Sequence, residues 1–319
     1  MHYVKSIARK REASVMLALI VLLTVFSLIN PIMLRPDNLR AILRASAFTG
    51  VLSIGTTWLL LSGSIDLSIG SVAGLASVVT SYLIVLQGVP YIPSILLGLL
   101  AGTGIGISNY FLVYRVKIPA FLATIGTMYI AKGMAQFISN GFQIYPLPDV
   151  FKRFGSGEPL SISWHFLIFI FLIIVSQIIL SGTIFGLEVK ATGSDREIAR
   201  NTEVNVRKVS IITSMVVGTL AALSGLLLMS RVITGYASIG LGWELTSITA
   251  CAIGGVSLFG YEGSFFGLLL GVITLQVIKN GLVVVGFSPY VNMMCVGVIL
   301  VATTAFDWQH RENLRLGGL

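Results

Sequence analysis

Histidine and cysteine are scarce in this chain, three of the one and two of the other among 319 residues. His2, His165 and His310 lie far apart, with no HExxH string and no serine, histidine and acid set, which excludes the usual hydrolytic and zinc-peptidase chemistries. Cys251 and Cys295 both fall in apolar stretches without a second ligand-type group beside them, so neither a disulfide nor a thiolate metal site is indicated. No GxxxxGK[ST] string occurs, the loop whose backbone amides and lysine hold nucleotide phosphates. No cofactor is therefore expected on this chain, and it does not hydrolyse ATP by itself. Charge is equally sparse: 11% of residues are charged and 55% hydrophobic, with a mean hydropathy of +0.92, whereas a soluble domain carries about 25% charged residues.

What the chain has instead is long apolar runs. Windows of about 17 to 23 apolar residues, the length a helix needs to cross a hydrocarbon core of about 30 Å, run approximately Ala13 to Leu34, Ser46 to Ser62, Ile69 to Leu86, Tyr91 to Val113, Ile118 to Ile138, Trp164 to Leu180, Ser210 to Ser230, Leu245 to Leu258, Ser264 to Val285 and Pro289 to Phe306. The second and eighth are short. The runs are continuously apolar rather than alternating, so the expected fold is an all-α polytopic membrane protein of about ten transmembrane helices. The basic start, Lys5 to Arg11, leads into a run with no small-residue cleavage site and reads as an uncleaved first span. Between Asn140 and Ser163, Pro146, Pro148, Pro159, Gly155 and Gly157 predict an irregular segment.

With the amino terminus in the cytoplasm, thirteen Lys and Arg fall on that side and six on the other, with Lys132 and Lys279 inside spans, which accounts for all 21. The positive-inside rule thus favours two cytoplasmic termini. The basic residues flank hydrophobic spans, so the net charge of +8 matches anionic lipid and not nucleic acid. Lys132 and Lys279 each sit near a span end, from which a long side chain reaches the interface.

Two sets of features recur in order, which predicts two inverted-topology halves. Gly98, Gly102 and Gly106 match Gly263, Gly267 and Gly271, each trio on one helical face where a neighbouring helix can approach closely. Asp66-Leu67-Ser68 matches Glu244-Leu245-Thr246, in each case an acid and a hydroxyl at a helix start. Such acids are either amino-terminal caps or, lying on opposite membrane faces in this topology, gates of one pathway. Uncharged polar residues within the spans, among them Asn109, Thr124, Thr127, Thr246 and Asn280, either hydrogen-bond between helices or line a path for a neutral, hydroxyl-rich solute.

One charged island interrupts the apolar chain. Gly186 to Lys208, GLEVKATGSDREIARNTEVNVRK, alternates in sign as a short solvated helix does, the form in which a membrane protein docks a soluble partner.

With SGSIDLSIGS at 62–71, FLATIGTM at 121–128, GLEVKATGSDREIARNTEVNV at 186–206, GWELTSITACAIGGVSLFGYEGS at 242–264 and IKNGL at 278–282, the chain resembles the ribose-type permeases of bacterial ABC importers over about residues 13 to 308. The resemblance implies an inner-membrane permease paired with a second permease subunit, an extracytoplasmic binding protein that delivers a sugar or related solute, and cytoplasmic ABC ATPase subunits that use the ATP. It assigns ATPase coupling to Gly193, Ser194, Asp195, Arg196, Glu197, Ala199 and Arg200 in a cytoplasmic segment at about 186–208. Ile198, Asn201 and Glu203 depart from the pattern, which tends to alanine, leucine and glycine there, and Tyr261 replaces a glycine. A stand-alone carrier or channel is the rival class; the scarcity of intramembrane carboxylates weighs against it.

Overall fold

The computed structural model describes residues 2–316, and its secondary structure is helical throughout apart from an isolated bridge between Ile144 and Gly235. Helix α1 (His2–Ile29) passes through a 3-10 turn at Pro31–Leu34, held by Asn30 accepting from the Ile32 amide at 3.0 Å. Helix α2 (Pro36–Leu61) starts well before the predicted Ser46, because Pro36 suits a first helical turn and Asp37 beside it faces the positive end of the dipole. Then come α3 (Ile69–Val85), α4 (Tyr91–Tyr114), α5 (Ala120–Ser139), α6 (Asp149–Ser156), α7 (Trp164–Gly182), α8 (Ile184–Ser194), α9 (Arg196–Asn201), α10 (Val206–Val232), α11 (Trp243–Ile253), α12 (Phe265–Val284) and α13 (Pro289–Leu316).

Glu12–Ile29 of α1, α4, α7, α10, α12 and Pro289–Gln309 of α13 are long and apolar enough to cross a membrane. The remaining predicted windows fall on α2, α3, α5 and α11. Helix α11 has only eleven residues, about 16 Å of rise, so the predicted eighth span is not a helix of crossing length. Ahead of α11 an irregular segment, 233–242, runs along α3. Gly235 lies on Ser81 and Ser77, the carbonyls of Ala237 and Ile239 face Gly74, and Gly240 lies on Gly70 and Ala73. These glycines make the approach possible, since a Cβ at Gly70 or Gly74 would meet backbone oxygen.

Helices α2, α3, α10, α11 and α12 hold most of the buried residues. Around them pack α1, α4, α5, α7 and α13, whose outer faces expose Leu17, Leu28, Leu100, Phe137, Phe171 and Val301, as surfaces bathed in lipid do. The glycine trio of α4 does face neighbours: a Cβ at Gly98 would meet Thr80, at Gly102 Ala222 and the Gly218 carbonyl, and at Gly106 the Ser214 carbonyl. Of the second trio, Gly267 and Gly271 face the carbonyls of Gly254 and Ala250, but Gly263 precedes α12 and belongs to no helical face. The 140–163 segment contains a helix the sequence reading missed. Pro148 precedes it, Asp149 stands in its first turn and Arg153 in its last, and Phe151 is buried against Leu226 and Met229 of α10.

Candidate functional site

The charged island folds as two helices with a sharp break. Thr183 caps α8 by accepting from the Gly186 amide at 3.2 Å. At the break Asp195 is extended, and its Oδ1 accepts from the amides of Glu197 at 2.9 Å and Ile198 at 3.0 Å, starting α9. Gly193 lies so close to the Leu61 carbonyl at the end of α2 that no Cβ fits, and Gly260 of the α11–α12 loop packs on Gly193 from another side. The Tyr261 amide donates to the same Leu61 carbonyl at 3.3 Å.

The seven assigned residues therefore divide by direction. Gly193 and Ala199, the latter 3% exposed, face the bundle. Arg196 also turns inward, donating to the Ser62 carbonyl at 3.3 Å and the Tyr114 hydroxyl at 3.0 Å, with its guanidinium 4.4 Å from the Tyr114 ring centroid. Ser194, Asp195, Glu197 and Arg200 are exposed, as is Ile198 at 62%. Beside them a groove of about 290 Å³ runs between α8 and the 202–204 turn, bordered by Ile184, Leu187 and Glu203. Burial pushes the Lys190 ammonium below the ordinary lysine value. Glu203 has a φ of +64°, a left-handed conformation that favours glycine, and Tyr261 likewise has a φ of +50°. Both residues, where the resemblance implies glycine, thus have a backbone conformation that favours glycine.

A second cluster sits at the start of α3. Asp66 is 4% exposed; its Oδ1 accepts from the Ser68 amide at 2.7 Å and hydroxyl at 2.6 Å, and its Oδ2 accepts from Asn109 of α4 at 2.9 Å. Asn109 also donates to the Ser68 hydroxyl at 3.0 Å, while its own Oδ1 is buried without a partner among the described residues. Asp66 is thus more than a local cap, because it ties α4 to α3.

Glu244 does not lie on the face opposite Asp66. It stands in the first turn of α11 with Oε2 against Gly70, one helical turn beyond Asp66, because the 233–242 segment has already carried the chain down the length of α3. Lys132 of α5 acts only weakly on that carboxylate, at a separation longer than an ion pair. It is half-buried, and the adjoining Ala131 packs with Leu75, Val78 and Ala237.

The other polar residues are spoken for. Thr124 donates to the Ala120 carbonyl at 2.8 Å, Thr127 to that of Thr124 at 3.1 Å and Thr246 to that of Gly242 at 3.0 Å, each within its own helix. Asn280 exchanges amide hydrogen bonds with Asn38 at 2.9 and 3.0 Å, which locks α12 to the start of α2. Sequence reasoning missed Tyr114, Ser62 and Asn38; an aromatic, a helix-end carbonyl and a lone amide carry no local signal.

Residues 38–304 match the family described as the branched-chain amino acid transport system permease component. The chain is 31% identical to the ribose import permease protein RbsC of Bacillus subtilis, covering 91% of each chain. It is 33% identical to the autoinducer 2 import system permease protein LsrC of Photorhabdus luminescens, covering 96% of this chain and 92% of that one, and 29% identical to the RbsC of Escherichia coli K12, covering 93% of each. No solved structure matches. The chain belongs to this permease family, in its ribose-type ABC importer branch.

Proposed function

We propose that the chain is the membrane-spanning subunit of an importer for a sugar or sugar-like solute, powered by ATPase subunits that dock on α8 and α9. The observation that carries this reading is the outward face of that segment, where Glu197, Ile198 and Arg200 are exposed while Gly193 and Ala199 anchor it to the bundle. Two permease subunits would enclose one path, and a binding protein would deliver solute at the end carrying 140–163. The termini share the cytoplasmic side with α8 and α9 in the proposed orientation. Ten crossings in two inverted halves are kept, the eighth made of 233–242 together with α11.

The path is assigned to the face formed by α5 and 233–244. Irregular backbone at membrane depth is tolerated only against protein or water, since lipid satisfies no amide, and Ser238 and Gly242 of this segment are exposed. Glu244, Lys132 and the Asp66 cluster behind them supply the polar groups. Nucleotide-driven motion of α8 and α9 would open this face alternately to either side.

The test is co-expression with an ATPase and a binding protein, reconstitution in sealed vesicles, and measurement of ATP hydrolysis and uptake with ribose and autoinducer 2. Solute-dependent hydrolysis with uptake is expected. Accumulation of solute by the permease alone, undiminished when 186–208 is scrambled, would refute the reading.

A further inference from the structure

We propose that Arg196 is a positioning residue, the tether through which motion of α9 is delivered to α2, α3 and α4, and that it is not a docking contact. The proposal rests on the docking role given above for the outward face of α8 and α9.

Arg196 differs from its charged neighbours in direction. Glu197 and Arg200 point away from the bundle, whereas the Arg196 guanidinium reaches the carbonyl of Ser62, the cap residue of α2, and the hydroxyl of Tyr114, the last residue of α4. Helix ends leave carbonyls without intrahelical partners. Here the Tyr261 amide takes the Leu61 carbonyl and Arg196 takes that of Ser62, so the charge sits at the negative end of the α2 dipole. Its Nη2 thus donates to both helix ends at once, while the planar guanidinium lies against the Tyr114 ring, a stacking that a lysine point charge makes poorly.

From Tyr114 the connection continues inward. Tyr110 and Tyr114 pack with ring centroids 5.4 Å apart. On the adjoining turn Asn109 holds Asp66 and Ser68, and α3 begins at Ile69 and carries Gly70 against Glu244. A displacement of α9 therefore arrives together at the ends of α2 and α4 and, through the Asn109 bonds, at the start of α3 beside the proposed path.

Direction of force separates Arg196 from Gly193. The Gly193 contact is steric, backbone against backbone, and transmits a push. A hydrogen-bonded and cation–π tether also transmits a pull. Alternating access needs both strokes, and of these two contacts Arg196 supplies the return.

The experiment uses the permease, ATPase and binding protein in sealed vesicles, with whichever of ribose and autoinducer 2 stimulates the wild-type complex. Arg196→Ala is expected to retain the ATPase on co-purification but to raise the ATP consumed per solute imported by about 5-fold or more, the low end of usual coupling between sites. Arg196→Lys should restore part of the ratio, and Tyr114→Phe, which keeps the ring and loses the hydroxyl, should fall between. Ile198→Asp is the docking control and should lose the ATPase. The proposal is overturned if Arg196→Ala loses the ATPase as Ile198→Asp does, or if it transports at the wild-type ratio. Should Arg196→Ala fail to assemble, Tyr114→Phe decides by the same ratio, an unchanged value counting against the tether. A wild-type complex that shows no solute-dependent hydrolysis would instead refute the docking role on which the tether rests.

Discussion

Two glycines on one helix should respond unequally to the same substitution. Gly104 and Gly106 both lie within α4, but a Cβ at Gly104 would meet nothing within 4 Å, whereas one at Gly106 would meet the Ser214 carbonyl and the Gly218 backbone of α10. Replacing either by alanine gains up to about 1 kcal/mol of helix propensity, and this gain cancels when the two are compared. What remains is the overpacking at Gly106. The obstacle is backbone on a neighbouring helix and not a side chain that can turn aside, so α4 and α10 must move apart, at about 1–3 kcal/mol. Gly104→Ala should therefore be neutral or stabilising, and Gly106→Ala should lie about 1–3 kcal/mol below it. Reversible unfolding in mixed micelles titrated with dodecyl sulfate measures the difference, with uptake in parallel. Equal stabilities, or a more stable Gly106→Ala, would show that α4 and α10 do not approach at this point and would sink the packing argument.

Asn109→Ala removes one bond to the buried Asp66 carboxylate and should cost about 1.5–3 kcal/mol, the range for hydrogen bonds to a charged group; an unchanged unfolding midpoint would mean Asp66 is held without α4. For the amide pair of Asn38 and Asn280, a double-mutant cycle with leucine should give a coupling of about 0.6 kcal/mol, as interhelical hydrogen bonds in membranes do, and zero coupling would place the two apart. Glu203→Gly should be neutral or stabilising by up to about 1.5 kcal/mol, since relief of a left-handed residue, about 1–2 kcal/mol, is only partly offset by about 0.5–1 kcal/mol of added backbone entropy. Glu203→Val should be clearly worse than either, and a valine variant as stable as wild type would refute the left-handed turn.

The helices were legible where length and apolarity decide, as on α4, α7, α10 and α12, and the break in the charged island is explained by Asp195, whose side chain is a good cap. What was not legible follows from tertiary contact. Window eight looked like a short span because Gly235, Gly240, Gly70 and Gly74 let an irregular chain lie along α3, and no periodicity in one segment reports its fit to another. That packing brings Glu244 to Gly70, when alternating crossings alone would have set it on the face opposite Asp66. Asn280 stayed open between a helix contact and a path residue because its partner, Asn38, is 242 residues away. Within the island, Arg196 and Arg200 are alike as residues; only the positions of Ser62 and Tyr114 make one a tether and leave the other exposed. At Glu203 the resemblance implies glycine, and the residue that replaces it still has a positive φ, which the sequence alone did not show.

Lys132 and Glu244 bring the energetic argument to the proposed path. A charged side chain at membrane depth is costly and is retained where it faces a partner or water. Each of these is half-buried, and the two opposite charges act on each other weakly, at a separation longer than an ion pair. Removing one charge leaves the other without compensation, whereas removing both eliminates the cost together with the attraction. Lys132→Met and Glu244→Gln should therefore each destabilise the fold, and the double variant should recover part of the loss, with a coupling of about 0.5–3 kcal/mol. Uptake should behave differently. If the two groups line the path, the double variant stays impaired in transport although its stability returns, because the hydrogen-bonding groups offered to a hydroxyl-rich solute are gone. Stability and uptake recovering together would make the pair a packing feature and move the path off the α5 face.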